Sequence, residues 1–271
     1  MNDPEDPDPE NIKNAVPAPP EAIPAVIDTL QLSDKSSRQA FSLLKYQDSF
    51  LHLQPTLLAS SFTSKSNVVS ALLQKKVPNL LLLPMKDSVA QLRTVIFDRV
   101  GTQQYAAKWW NSYNPKYQNF EKVLGFINRG DCTNYASQIL YEGGKWAMVG
   151  DVEDRKSDSA WWYNFNDPVS SQTYTWAAAV NFWRFLNTHP NRATPVNRSS
   201  LLSVGDIVQV DFGEGEGLSH TMVVTSRRSD DGMIYLTGHT NPHYLMPIYD
   251  IQVKYSKAKF YTWKLANSYD Y

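Results

Sequence analysis

Cysteine is nearly absent from this sequence: Cys132 stands alone among 271 residues. A single thiol cannot close an internal disulfide and cannot by itself build a thiolate metal site, so both stabilising devices are excluded. Long apolar runs are missing as well. No stretch reaches the about 20 residues that a membrane helix needs, and no membrane span is expected. The opening "MNDPEDPDPE" is acidic where a secretory leader needs a basic and then an apolar segment, so no signal peptide is legible there. Charge of one sign is also lacking, with 26 basic and 27 acidic residues. That balance argues against a nucleic-acid partner, whose footprint is a basic face. There is no HExxH pattern, and Pro242 keeps His239 and His243 off a common helical face. A metallohydrolase built on His220, His239 and His243 is therefore disfavoured, and neither a metal nor another cofactor is expected. No internal repeat is visible.

What is present is apolar and aromatic. Hydrophobic residues make up 42% and aromatic ones 13%, with 8 Trp and 15 Tyr, enough for a sizeable core and for rings that line a sugar or peptide cleft. Residues 1–24 hold seven of the 16 prolines and six acids against one lysine, a composition that stays extended. The reading is an acidic, Pro-rich linker over 1–30, a helical or mixed lead-in region over 31–99, and a domain over 100–271. An acidic Pro-rich lead commonly follows a cleaved signal or anchor. Export or attachment to the cell envelope is thus expected, with the cytoplasm as the alternative.

Within the domain, apolar spacing predicts helices over 105–113, over 133–144 with a left-handed stop at Gly143-Gly144, and over 174–186. The texture then changes to strands at 205–212, 220–226, 233–241 and 258–265, separated by turns rich in Gly, Asp and Ser. Helices first and an antiparallel sheet afterwards predict an α+β fold.

The stretch "GDCTNYASQIL" puts the one Cys at the start of a helix, with Asp131 as its expected N-cap. Unpaired amides and the helix dipole favour a thiolate at that place. An imidazole must come from elsewhere to complete the activation. His220 opens one expected strand and His239 lies on the next, so adjacent strands can set them side by side as base and orienter. This is the layout of papain-like hydrolases. Asn241 shares a strand face with His239 and is the alternative third residue, with Asp206 and Asp211 as outsiders. His52, His189 and His243 have no such context and are read as surface or structural. The Cys132 backbone amide is the natural oxyanion donor, and Asn128 is the nearest amide side chain upstream. Trp161, Trp162 and Tyr163 are candidate walls of the substrate cleft.

The same residues carry a family likeness. "GDCTNYASQIL", "SHTMVVTS" and "GHTN", with "YAAKWWNSYNPKYQNF", "TYTWAAAVNFWRFL" and "LLSVGDIVQVDF" in order between 100 and 265, resemble the putative amidase domain of Gram-positive bacteria. That family is related to NlpC-type and CHAP-type cell-wall hydrolases. The resemblance implies a papain-like fold, Cys132 as nucleophile, His220 as base and, by position, His239 as the third residue. Where family members usually show two glycines before the Asp, this chain has Arg129-Gly130. The implied activity is a thiol-dependent amide hydrolase, amidase or peptidase, working through an acyl-enzyme on an amide or peptide such as a peptidoglycan stem peptide. Two alternatives remain open: acyl transfer by the same triad, and a non-catalytic module that binds cell-wall glycopeptide. Oligomeric state has no signature in the sequence.

Overall fold

β-branched and aromatic residues gather in short segments of the C-terminal half, and six segments there pair into one sheet. In the computed structural model, which describes residues 24–27, 93–121, 130–166 and 172–271, they are β2 (Ala193–Val196), β3 (Ile207–Asp211), β4 (Leu218–Arg227), β5 (Ile234–Gly238), β6 (His243–Pro247) and β7 (Lys259–Leu265). Every pairing is antiparallel, in the order β2-β7-β3-β4-β5-β6. A second, two-stranded sheet joins β1 (Thr94–Ile96) to β8 (Ser268–Asp270). β3 is central and buried on both faces, which is why "IVQVD" hardly alternates.

Five α-helices are described: α1 (Arg99–Trp109), α2 (Cys132–Gln138), α3 (Tyr174–Ala177), α4 (Ala179–Thr188) and α5 (Ile248–Lys254). Every residue of α2 is buried, and the helix runs on through a π-helical turn, Ile139–Gly143. With the sheet, they make the α+β class expected above.

Three local expectations change. The helix placed at 105–113 starts earlier, where Asp98 Oδ1 accepts from the Gly101 amide at 2.8 Å, and ends at Trp109. The 174–186 helix is two helices, because Ala178 is extended at φ −113° and ψ 132°. The Gly143-Gly144 pair is not a left-handed stop either. Gly144 is right-handed, and Lys145 carries the positive φ of 63°. The glycines serve close packing instead: a Cβ on Gly143 would come within 2.6 Å of the Gly101 carbonyl, and one on Gly144 would strike the Phe97 ring.

The sheet separates two apolar layers. Helices and aromatic rings cover one face, with Tyr135, Ile139, Trp161, Trp176 and Phe185 packed toward Ile207, Val223 and Trp263. The other face is largely aliphatic: Val208, Val210, Met222, Val224 and Leu236 meet Leu202, Ile248 and Ile251. Ile27 joins this second layer, and its neighbours form backbone bonds, Ala25 N to Phe260 O at 2.6 Å and Ser199 N to Val26 O at 3.0 Å. Within the expected 1–30 linker, residues 24–27 are thus pinned to the sheet, because Ile27 has an apolar slot to fill. The rest of that segment and nearly all of 31–99 lie outside the described residues.

Candidate active site

Cys132 is the first residue of α2 and is buried. Its Sγ lies 3.7 Å from Thr133 Oγ1 and 3.9 Å from the Ser219 carbonyl oxygen, and it receives the Thr221 backbone N–H. The sulfur therefore rests on the β4 backbone at residues 219–221, the segment that carries His220. The register there is fixed from both sides. Thr133 Oγ1 and Thr221 Oγ1 are 2.9 Å apart, and Gln209 Nε2 donates to Thr221 Oγ1 at 3.2 Å.

Burial pushes the Cys132 thiol up, with donation from Thr221 and Thr133 opposing the rise and the Asp131 charge adding to it. This reverses the expected helix-start effect: removing the sulfur from water outweighs the dipole of a seven-residue helix.

Asp131 is not the expected cap. Its side chain makes no capping bond to α2. Oδ1 instead accepts from the Phe120 amide at 3.2 Å and from Asn134 Nδ2 at 2.8 Å, and Oδ2 faces His239 Nδ1 at 2.8 Å. Asn134 completes the brace, donating to Gln118 O at 2.9 Å and accepting from Trp176 Nε1 at 2.8 Å. Each polar residue of "GDCTN" except the Cys is thus fully committed to holding the loop.

His239 sits one residue past β5, in the turn before β6. Its Nε2 faces the Trp109 carbonyl at 2.9 Å, and its ring stacks on Tyr135 at 3.6 Å with planes 3° apart. Thr240 and Asn241 both adopt φ of 61°, and Thr240 Oγ1 accepts from the Asp131 amide at 2.8 Å. A β-branched residue in this region is strained, so the turn is held there by its contacts. Gly130 is required for the approach: a Cβ would fall 2.6 Å from Thr240 Oγ1.

His220 takes the other face. It pairs with Val210, and alternation sends its side chain with Met222 and Val224 away from Thr221, Val223 and α2. Its ring neighbours are Phe212 at 5.7 Å and His243 at 6.2 Å. Burial pushes its pKa down to about 3, helped by the His243 charge. Among the described residues no hydrogen bond joins Cys132 to His220 or His220 to His239. The expected chain of base and orienter is not closed here; Asp131 and the Trp109 carbonyl occupy the nitrogens of His239.

The remaining expected residues separate clearly. Asn241 is exposed, and its carbonyl meets His243 Nδ1 at 2.9 Å. Asp206 pairs with Arg99, and Asp211 accepts from the Gly213 amide. Asn128 lies outside the described residues. Trp161, Trp162 and Tyr163 are buried: Trp161 packs on Trp176 at 4.6 Å, and Tyr163 OH accepts from the Gln118 amide. They belong to the core, because a slot lined by Trp176, Tyr117 and Phe185 can bury rings of that size. Half-buried rings occur elsewhere, one of them against His239. Tyr113 lies 4.8 Å from it, and Trp110 and Tyr244 stack at 5.8 Å. The sequence signal for Trp110 and Tyr113 is the aromatic "KWWNSY" that precedes the Cys.

The family described as Putative amidase domain matches residues 96–263. The chain belongs to that family. The description of that family points to amide hydrolysis. Uncharacterized protein YhbB of Bacillus subtilis is 31% identical over 180 residues, covering 65% of this chain and 48% of that protein. The chain therefore spans about half the length of this curated relative. No solved structure matches. Among the described residues no helix is long and apolar enough to cross a membrane.

Proposed function

We propose that the protein is a thiol-dependent amide hydrolase, an amidase or peptidase, with Cys132 as nucleophile and His220 as base. The carrying observation is the seat of the lone thiol: it begins the helix of "GDCTN" and rests on the strand backbone flanking His220. A helix bearing the Cys on an antiparallel sheet supports a papain-like core.

Cys132 Sγ bonds to the amide carbonyl carbon as its proton passes to His220. The C–N bond then breaks, and the amine leaves with that proton. Water attacks the thioester, releasing the acid and restoring the thiol. The Cys132 backbone N–H is one oxyanion donor, and Asn128 is the candidate second. In this structure the His220 ring lies on the face away from α2, so the transfer requires it to turn round the 218–220 end of β4, where the register with β3 shifts. Among the described residues His220 is the imidazole whose nitrogens are not committed elsewhere.

The proposed substrate is a peptide amide of the bacterial cell wall, at the cell envelope, held by the half-buried rings of Trp110, Tyr113 and Tyr244. Incubation with peptidoglycan stem peptides tests this by release of a new amine and by mass detection of an acyl adduct on Cys132. Cys132→Ala is expected to lose both signals. Wild-type hydrolysis by that variant would end the reading.

A further inference from the structure

We propose that Asp131 and His239 form a charge-balanced clamp on the nucleophile loop, in which a doubly protonated His239 neutralises the carboxylate adjoining Cys132 and so sets the reactivity of the thiol. For its catalytic consequence this rests on Cys132 being the nucleophile.

Asp131 is fully buried; its Oδ1 accepts from the Phe120 amide and Asn134 Nδ2, and its Oδ2 faces His239 Nδ1. One proton lies between Oδ2 and Nδ1; a carboxylic acid is a stronger acid than an imidazolium, and the two N–H donors on Oδ1 favour the anion, so that proton belongs to the ring and the carboxylate is ionised. A buried carboxylate needs a counter-charge. His239 supplies it. Its two nitrogens face two oxygen acceptors, Asp131 Oδ2 and the Trp109 carbonyl, so the ring donates from both sides and is positive.

The titratable groups around this ring leave the balance to that pair. Tyr135 from α2 stacks on it, Tyr113 after α1 tilts against it, Tyr244 and His243 come from β6, and burial pushes all three tyrosines up, which keeps them neutral. The consequence falls on the next residue. An unbalanced carboxylate beside Cys132 disfavours its thiolate, whereas a balanced one leaves the α2 amides unopposed. His239 is thus a positioning and charge-balancing residue.

The two halves of the clamp make opposite predictions, which a merely structural role would not. Iodoacetamide alkylation of Cys132 in the full chain, followed by mass against pH, gives the inflection for the thiol. In His239→Gln the side-chain amide still donates to Asp131 but the positive charge is gone. Its inflection is expected to rise by about one pH unit, lowering the rate at neutral pH about tenfold. In Asp131→Asn the negative charge is gone, and the inflection is expected to fall. Shifts of the same sign, or none, would overturn the clamp. Nitrogen-15 NMR of the wild-type imidazoles keeps the question decidable if a variant fails to fold: both His239 nitrogens should be protonated at pH 7.5, and a neutral ring ends the proposal. Wild-type hydrolysis by Cys132→Ala would remove the nucleophile and leave the clamp standing, so the two failures are distinguishable.

Discussion

The two faces of the six-stranded sheet bury different chemistry. On the helix side, several polar side chains sit among the rings and are paired, although Trp146 Nε1 in the same layer has no partner among the described residues. Gln209 links Ala179 O, Thr221 and Trp263 Nε1, and Ser137 Oγ links Trp176 O to Trp161 Nε1. On the other side, with Val208, Val210, Met222 and Val224, His220 pairs across the strands with Val210 and neighbours Phe212 and His243, and its ring has no hydrogen bond among the described residues. Buried polar groups normally find partners, and those that do fix a unique register. The helix side therefore specifies the structure, while the unpaired imidazole on the far side contributes no such specification.

The sharpest way to break this contrast is to cut into the helix side. Trp161 is fully buried, lies 4.6 Å from Trp176 and 5.7 Å from Trp146, and donates to Ser137 Oγ. Trp161→Ala should cost about 3–5 kcal/mol in urea denaturation, as large aromatic deletions do. A loss below 1 kcal/mol would show that the cluster collapses into the gap and that the face is less specific than its bonds imply. Asn134→Ala comes next. It leaves Gln118 O, the Asp131 carboxylate and Trp176 Nε1 each short of one bond, and should cost about 2 kcal/mol. Met222→Leu on the aliphatic face keeps the volume and should cost less than about 1.5 kcal/mol in the same assay.

The same contrast explains what the sequence made legible. The strands of the sheet core were readable from "GDIVQVDF" and "HTMVVTS", because short β-branched runs bounded by turn residues are local signals. β2 and β6 were missed. They carry Pro195 and Pro247 and pair along only one edge, and the partner of β2 is the distant β7. At the site, Cys132, His220 and His239 could be named from motif and order. The partner of His239 could not: Trp109 O is a backbone atom 130 positions away, and no residue type announces a carbonyl. Asp131 illustrates the complementary failure. Its place before a helix made N-capping the default, and only the turn at 239–242 reveals that its oxygens face elsewhere. Trp161 and Trp162 read equally well as cleft or core from composition; depth within the helix layer decides.

The last test, which has no effect at neutral pH, is an acid titration that isolates His220. Burial holds its folded pKa down at about 3, whereas the unfolded ring titrates near 6.5. Between those values the unfolded chain binds a proton that the folded chain refuses. Stability contributed by the neutral ring is therefore complete above about pH 6.5 and is lost as pH falls toward 3, at a slope of at most about 1.4 kcal/mol per pH unit. His243, also lowered by burial, adds in the same direction. Carboxylates titrate in this range too, but they are common to the wild type and to His220→Phe, which fills a similar volume without a titrating group. The difference between their urea midpoints should be flat above pH 7 and should change below pH 6, with the variant losing less stability per pH unit. Parallel curves would mean that His220 reaches water in the folded state. That result would sharpen the comparison in the opposite sense: the far face would then be open beside the strand on which Cys132 rests.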